Sequence, residues 1–543
     1  MNPRSIGKLP VATALFVIAL IVGGSLQATT ATLISSVRMD LQADGRVIGF
    51  VNLPPGTKVE VIGSGDAGYK VRRNPDEAPF LVPCDRLRLD QPASSPTPEN
   101  TQAPIPTSSA SPSHSSPGPS ATPAPSPSPS VAPTPGLSEP TVAEVNKALG
   151  IPLFGTGSLW EESDAMVANR LRWPQESKTS HEAGYRRYPY TFNSDTRILG
   201  VRALCLFLQG MDDKTTRVSM LFANKGDIAI YMSPEEASHQ KPNEPLNVSD
   251  GMLRSFQEAM RADADTLRKG LRHLLGPSRI VTLGRYQQVR EQADRWDWKG
   301  HSFLLMELPG EYVALKILPT AVLDDADSAK KAFSAAKQDL ARRVEKRPNG
   351  DVLISDLPMI DQGRKGYCVP ATFERLLRYY GLPADMNVLA MAGKTRAGGG
   401  TCIPQLVGAM QNVVYDAGGT ITPKNFSGSI QEIKPLIDSG KPLIFAHYST
   451  DEFNKRVNAR MRVRANFSPA DWASKVLPDF KKKENTTLKA DPLYGHVCLI
   501  IGYNEKTREI AITDSWGPVA TERWMTEEEA RQIMQPTGLS VIE

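Results

Sequence analysis

Cys368 follows a glycine-bearing loop, Asp361-Gln-Gly-Arg-Lys-Gly-Tyr367, and opens the segment Cys368-Val-Pro-Ala-Thr-Phe-Glu-Arg-Leu-Leu-Arg-Tyr-Tyr-Gly381. Ala371, Phe373, Leu376, Leu377 and Tyr380 recur at the spacing of one helix face, Pro370 suits a first turn and Gly381 a stop. The thiol is therefore expected at a helix N-terminus. There the backbone dipoles and unpaired N–H groups favour a thiolate and can hold a developing oxyanion. Gln362 lies six residues earlier, across Gly363 and Gly366. A tight loop would turn its amide back toward the thiol as a further oxyanion donor.

A thiol nucleophile needs a base. Tyr494-Gly-His-Val-Cys-Leu-Ile-Ile-Gly-Tyr503 puts His496 at the start of a buried strand, and Arg508 to Thr513 reads as the next strand, ending in Asp514-Ser-Trp-Gly517. A turn at Asn504-Glu-Lys would make the two antiparallel and bring Asp514 beside His496, to fix its tautomer and orientation. His447, in Leu443-Ile-Phe-Ala-His-Tyr448, is the rival base; no acid motif follows it, and it reads as structural or subsite-lining. Cys498 shares the strand face of His496 and reads as packing close to the site. Cys402, after Gly398-Gly-Gly-Thr, reads as core or as a loop near the cleft. Trp516 reads as a shield over the Asp–His pair.

Gln-x5-Cys, a helix, Gly-His on a strand and Asp-Ser-Trp-Gly, in that order, resemble the papain-like cysteine peptidases. Tyr-Cys-x-Pro-Ala followed by Tyr-Tyr-Gly is similar to the bacterial branch that includes the double-glycine, bacteriocin-processing peptidases. The resemblance covers residues 351–543. It implies an α+β papain-like fold and peptide-bond hydrolysis through a thioester, with no cofactor. Cys368 would be the nucleophile, His496 the base, Asp514 the orienting residue and Gln362 the oxyanion-hole donor. Papain has Asn where Asp514 stands, whereas Asp is usual in the bacterial branch. The ABC-transporter cassette of the bacteriocin exporters has no counterpart here, so processing of double-glycine leaders does not follow. An amidase or transferase acting on cell-wall peptides through the same thioester is the alternative chemistry. A non-catalytic binding protein on the same scaffold is the alternative class, and fold alone does not separate them. The four catalytic positions together favour the enzyme.

The remaining residues must position this segment or deliver it. The chain's 543 residues are too many for one core and predict a multidomain protein. A net charge of +4, spread over 63 basic and 59 acidic residues, lacks the concentrated basic face of a nucleic-acid binder. Residues 1–31 read as a signal peptide: Arg4 and Lys8, an apolar run from Val11 to Val22, then Ala28 and Ala31 as cleavage positions. The protein is accordingly expected to be exported (periplasmic, extracellular or at the cell surface). An uncleaved signal acting as an anchor is the alternative. Cys84, Cys205, Cys368, Cys402 and Cys498 are odd in number and scattered, which argues against a disulfide framework and against zinc-ligand spacing.

Residues 32–90 read as a small all-β barrel, with strands at 46–53, 58–62 and 69–72 and turns at Pro54-Pro-Gly56 and Gly63 to Gly68. The pattern resembles an SH3-like domain of the bacterial exported type, which implies a peptide or cell-wall ligand; a plain spacer is the alternative. Residues 91–140 hold fifteen of the 44 prolines among Ser, Thr and Ala, a composition that cannot bury apolar surface and reads as a semi-rigid linker. Residues 141–345 read as an α+β domain without a catalytic motif. Its expected strands are 198–208, 216–222, 303–308 and 312–318, its helices 249–275 and 328–344, and Trp160, Trp173, Trp296 and Trp298 read as core or rim packing. A peptide or protein is the expected substrate. Limited proteolysis should cut first within 91–140; first cuts inside 351–543 would contradict this division.

Overall fold

The computed structural model describes residues 30–33, 37–43, 46–54, 56–65, 68–74, 80–82, 87–89, 139–192, 194–240, 246–284, 286–324, 328–424, 426–484, 487–491 and 494–543. The expected leader up to residue 29, nearly all of the segment 91–140, and Cys84 lie outside them. No helix among the described residues is long and apolar enough to cross a membrane.

The N-terminal strands form a five-stranded antiparallel sheet, in the order Phe80–Val82, Gly68–Arg72, Lys58–Gly65, Thr30–Leu33, Leu87–Leu89, and a separate hairpin, Val37–Ala43 with Arg46–Leu53. Leu33, Leu53, Val59, Val71, Val82 and Leu87 make its core. The ladder continues to Gly65 opposite Gly68, so the turn expected over 63–68 is shorter. Ala31 pairs with Val59 inside the first strand; a cut after Ala28 would leave that strand whole, whereas one after Ala31 would not.

The middle of the chain is an eight-stranded antiparallel sheet in the order Arg279–Leu283, Glu291–Trp298, His301–Leu308, Tyr312–Pro319, Lys214–Asn224, Cys205–Met211, Glu182–Arg187, Gln175–Lys178. Alternation sorts its side chains onto two faces. Leu206, Leu208, Phe303, Leu305, Val313 and Leu315 point to one core. The helix Asp250–Leu275, capped by the Ser249 hydroxyl, lays Met252, Phe256, Met260, Ala264, Leu267 and Leu271 on that face. Cys205, Leu304, Met306, Tyr312 and Ala314 point the other way, to a second cluster. Both faces are covered, which is why these strands read as near-continuous apolar runs.

Two expectations here are corrected. The strand expected over 198–208 begins only at Cys205, because Leu199 and Gly200 adopt positive φ (50° and 84°) and turn the chain into a short hairpin, Arg197–Ile198 with Val201–Arg202. The helix expected over 328–344 ends at Asp339, passes through a 3₁₀ turn and becomes the strand Val344–Lys346. Trp173, Trp296 and Trp298 are buried, and half-buried Trp160 donates to the Gly300 carbonyl at 3.0 Å.

The C-terminal sheet runs Val344–Lys346, Val352–Ile354, Gly495–Asn504, Leu443–Tyr448, Met534–Ile542, Ile421–Lys424, with Glu509–Thr513 and Arg523–Thr526 branching from the central strand Gly495–Asn504. The hairpin 344–354 bridges the division expected between 345 and 351. The helix Cys368–Tyr379 packs on this sheet, and all 12 of its residues are buried. Its other side meets the second face of the middle sheet through Arg378–Glu182, Arg217–Glu374 at 3.9 Å and, from the next helix's cap, Asp385–Lys316 at 3.2 Å.

Candidate active site

Cys368 is the first residue of the buried helix, 5% exposed, with Tyr367 at the cap position and no side-chain cap to occupy the first N–H groups. The preceding loop is tight. Gly363 has φ +72° and donates its N–H to Asp361 Oδ1 at 2.8 Å. Gly366 abuts Gly399 so closely that a Cβ on Gly399 would lie 2.4 Å from the Gly366 Cα, and Gly400 N–H donates to the Gly366 carbonyl at 3.1 Å. Gln362 N–H donates to the Ser515 carbonyl at 2.9 Å, which fastens the loop to the residue after Asp514. The expected turn of the Gln362 amide is modified. Its Nε2 donates to the Lys365 carbonyl at 3.0 Å, which engages one of two amide protons, and its buried Oε1 lacks a hydrogen-bond partner.

His496 is the second residue of the strand Gly495–Asn504, and Asp514 follows the antiparallel strand Glu509–Thr513. The two meet as expected, His496 Nε2 to Asp514 Oδ1 at 2.8 Å, leaving Nδ1 as the ring's other nitrogen. Trp516 covers the imidazole, ring centroids 4.7 Å apart. Asp514 is fully buried, and its second oxygen accepts from Arg523 Nη1 at 2.5 Å. Burial raises the Asp514 carboxyl, but the Arg523 charge and His496 outweigh it and hold the group well below the usual carboxylate range. Arg523 is itself fixed by Asn454 Oδ1 at 2.7 Å and lies over the Trp516 ring. Sequence reasoning passed over Arg523. Its one signal was an arginine in a short apolar strand, Arg523-Trp-Met-Thr526, where an unpaired charge would be costly.

His447 faces His496 across the strand pair, the rings edge to face at 5.3 Å, and stacks on Phe445. Burial first, then the neighbouring His496, push its pKa down to about 3, so it is neutral near neutral pH and far from the value a general base needs. Cys498 Sγ lies 3.8 Å from His447 Nδ1, and burial raises that thiol well above its ordinary value. Cys402 is buried at the cap of the helix Ile403–Asp416. His447, Cys498 and Asp514 bring possible metal-ligand atoms within 4.8 Å of one another. Both Asp514 oxygens are already engaged, however, and a cation there would have to displace His496 or Arg523.

Cys368 at the start of a buried helix, the His496–Asp514 pair on the sheet against which that helix packs, and Gln362 on the loop before the helix are the residue types that thiol-dependent hydrolysis needs. Consistent with it, a family model described as the Peptidase_C39 like family matches residues 354–535, about a third of the chain, and supports a cysteine peptidase domain of that type at the C-terminal end. No curated protein matches the chain. No solved structure matches it either.

Two outcomes follow. His447 has a folded-state pKa below its unfolded value, so its contribution to stability is complete above about pH 6.5 and is lost as pH falls toward 3. Denaturant titrations at pH 7 and 5 should show that loss, and His447→Gln should remove about 2 kcal/mol of it; an unchanged difference would refute it. Asp514→Asn, tolerated on papain's precedent, should here destabilise by about 3 kcal/mol because it strands the buried Arg523 charge. The double variant with Arg523→Met should recover most of that stability. Thermal melts of the two variants decide it.

Proposed function

We propose that residues 351–543 are a peptidase domain of an exported protein, cleaving peptide bonds through a Cys368 thioester. The observation that carries this reading is the 2.8 Å bond from His496 Nε2 to Asp514, which turns Nδ1 to the base's task within the domain whose buried helix begins at Cys368. Cys368 Sγ attacks the scissile carbonyl carbon while the thiol proton passes to His496. The oxyanion is met by backbone N–H groups at the helix start and the remaining Gln362 amide proton. Collapse of the tetrahedral adduct breaks the C–N bond, and His496 returns the proton to the leaving amine. Water, deprotonated by His496, then attacks the thioester, releasing the acid and the thiol. Asp514 stays ionised throughout and fixes the imidazole, and Arg523 fixes Asp514.

Export rests on the leader-like residues 1–31 and the Pro/Ser/Thr-rich segment that follows the N-terminal strands. The N-terminal sheet is read as an SH3-like module that holds a peptide or wall component near the enzyme.

An epoxide thiol inhibitor should label Cys368 in the full chain, and Cys368→Ala should abolish hydrolysis of peptide substrates while melting like the wild type. His496→Ala should be about as damaging. Full hydrolysis by a folded Cys368→Ala protein would end this reading. Product trapped on an added amine instead of released as acid would convert it to a transferase.

A further inference from the structure

The turn that ends the middle strand Lys214–Asn224 runs Asn224-Lys-Gly-Asp227, and it is wedged beneath the loop that precedes Cys368. Asp227 and Asn224 are buried and bonded to each other, Asn224 Nδ2 to Asp227 Oδ2 at 2.8 Å. From this pair two bonds cross into the peptidase domain. Lys365 Nζ, on a side chain with no exposure, meets Asp227 Oδ2 at 3.1 Å. Tyr367 Oη donates to Asn224 Oδ1 at 2.9 Å. Gly226 between them leaves room for the Tyr367 ring; a Cβ there would lie 2.5 Å from it. Lys365 and Tyr367 stand three residues and one residue before Cys368, and the Lys365 carbonyl is the group that orients Gln362.

We propose that Asn224 and Asp227 are positioning residues of the cysteine site, so that the middle domain is a constituent of the hydrolase and not a separate module. The assignment rests on Cys368 as nucleophile. Its physical basis is the cost of the alternative. A buried ion pair that loses one partner is strongly destabilised, so loss of the Asp227 carboxylate removes the tie that holds residue 365 in place. Freed of it, the 365 carbonyl moves, releases the Gln362 amide and loosens the turn that aims the first N–H groups of the helix. Asp227 therefore fixes the oxyanion donors and the thiol together without touching substrate.

The test uses the full chain. Asp227→Asn removes the charge, and Gly226→Ala disturbs Tyr367 by a different contact. Asp385→Asn is the control: it breaks the Lys316 pair at the same interface without touching the loop. Two quantities are read, the rate of Cys368 alkylation against pH and hydrogen exchange of the Gly363, Tyr367 and Gly400 amides. In Asp227→Asn and Gly226→Ala, exchange at these amides should quicken at least tenfold. Alkylation at pH 7 should slow at least tenfold, its pH curve moving upward. Asp385→Asn should leave both unchanged whatever it does to the melting temperature. If loop exchange and the alkylation curve are unmoved in Asp227→Asn, or move equally in Asp385→Asn, the assignment is overturned. Gly226→Ala carries the same decision should Asp227→Asn fail to fold. Failure of the hydrolase reading itself would appear separately, as a wild-type Cys368 that does not react; loop exchange would then still decide whether the clamp exists.

Discussion

The helix that begins at Cys368 is buried on every side, although it carries Glu374, Arg375 and Arg378. Three ionisable groups removed from water must each find partners, or the helix could not lie there. Arg375 turns toward its own domain. It donates to the Pro358 carbonyl at 2.9 Å and to Thr513 Oγ1 at 2.7 Å, and burial lowers it to about 10. Thr513 is the residue before Asp514, so this bond holds the helix to the strand that leads into the His496–Asp514 pair. Arg378 and Glu374 turn the opposite way. They bond each other at 3.0 Å and reach Glu182 and Arg217 on the middle sheet. Burial, ahead of the nearby Asp385, raises Glu374 to about 7.

The second face of the middle sheet answers that demand. Arg186 pairs with Glu176 at 2.7 Å and lies 4.4 Å over the Phe207 ring, so flat apolar surface and charge share one layer. Glu176 also accepts the Asp361 N–H at 2.7 Å, and the Ser177 hydroxyl accepts the Met359 N–H at 2.9 Å. The segment leading to the loop before Cys368 is therefore pinned to the edge of the middle sheet before it reaches Gln362.

Much of the site was legible because local rules fix it. A proline in the first turn, a helical apolar stripe and a closing glycine locate Cys368. Two apolar strands on either side of Asn504 set His496 beside Asp514 through antiparallel register. What was hidden depends on distance along the chain. Asp227 meets Lys365 across 138 positions, and neither sits in a recognisable pattern. Arg523 reads as one more residue of a short strand until the second oxygen of Asp514 is seen to bond it. The apolar stripe predicted one buried face for the Cys368 helix. It could not reveal that the charged face is covered too, because the cover comes from another domain. The breaks at Leu199 and Asp339 were missed because the apolar run was read straight through the turn at Gly200, and the Ala-, Lys- and Arg-rich run straight past Asp339.

The hairpin Val344–Lys346 and Val352–Ile354 joins the two large domains as part of the C-terminal sheet, and its second strand lies against Tyr503 and Gly502 of the strand that begins near His496. The crossing is thus a stitched seam. Tension applied along the chain from the N-terminal side would enter the sheet at that seam, at the far end of the very strand on which the imidazole rides, and would be borne by its ladder of hydrogen bonds before it reached the thiol.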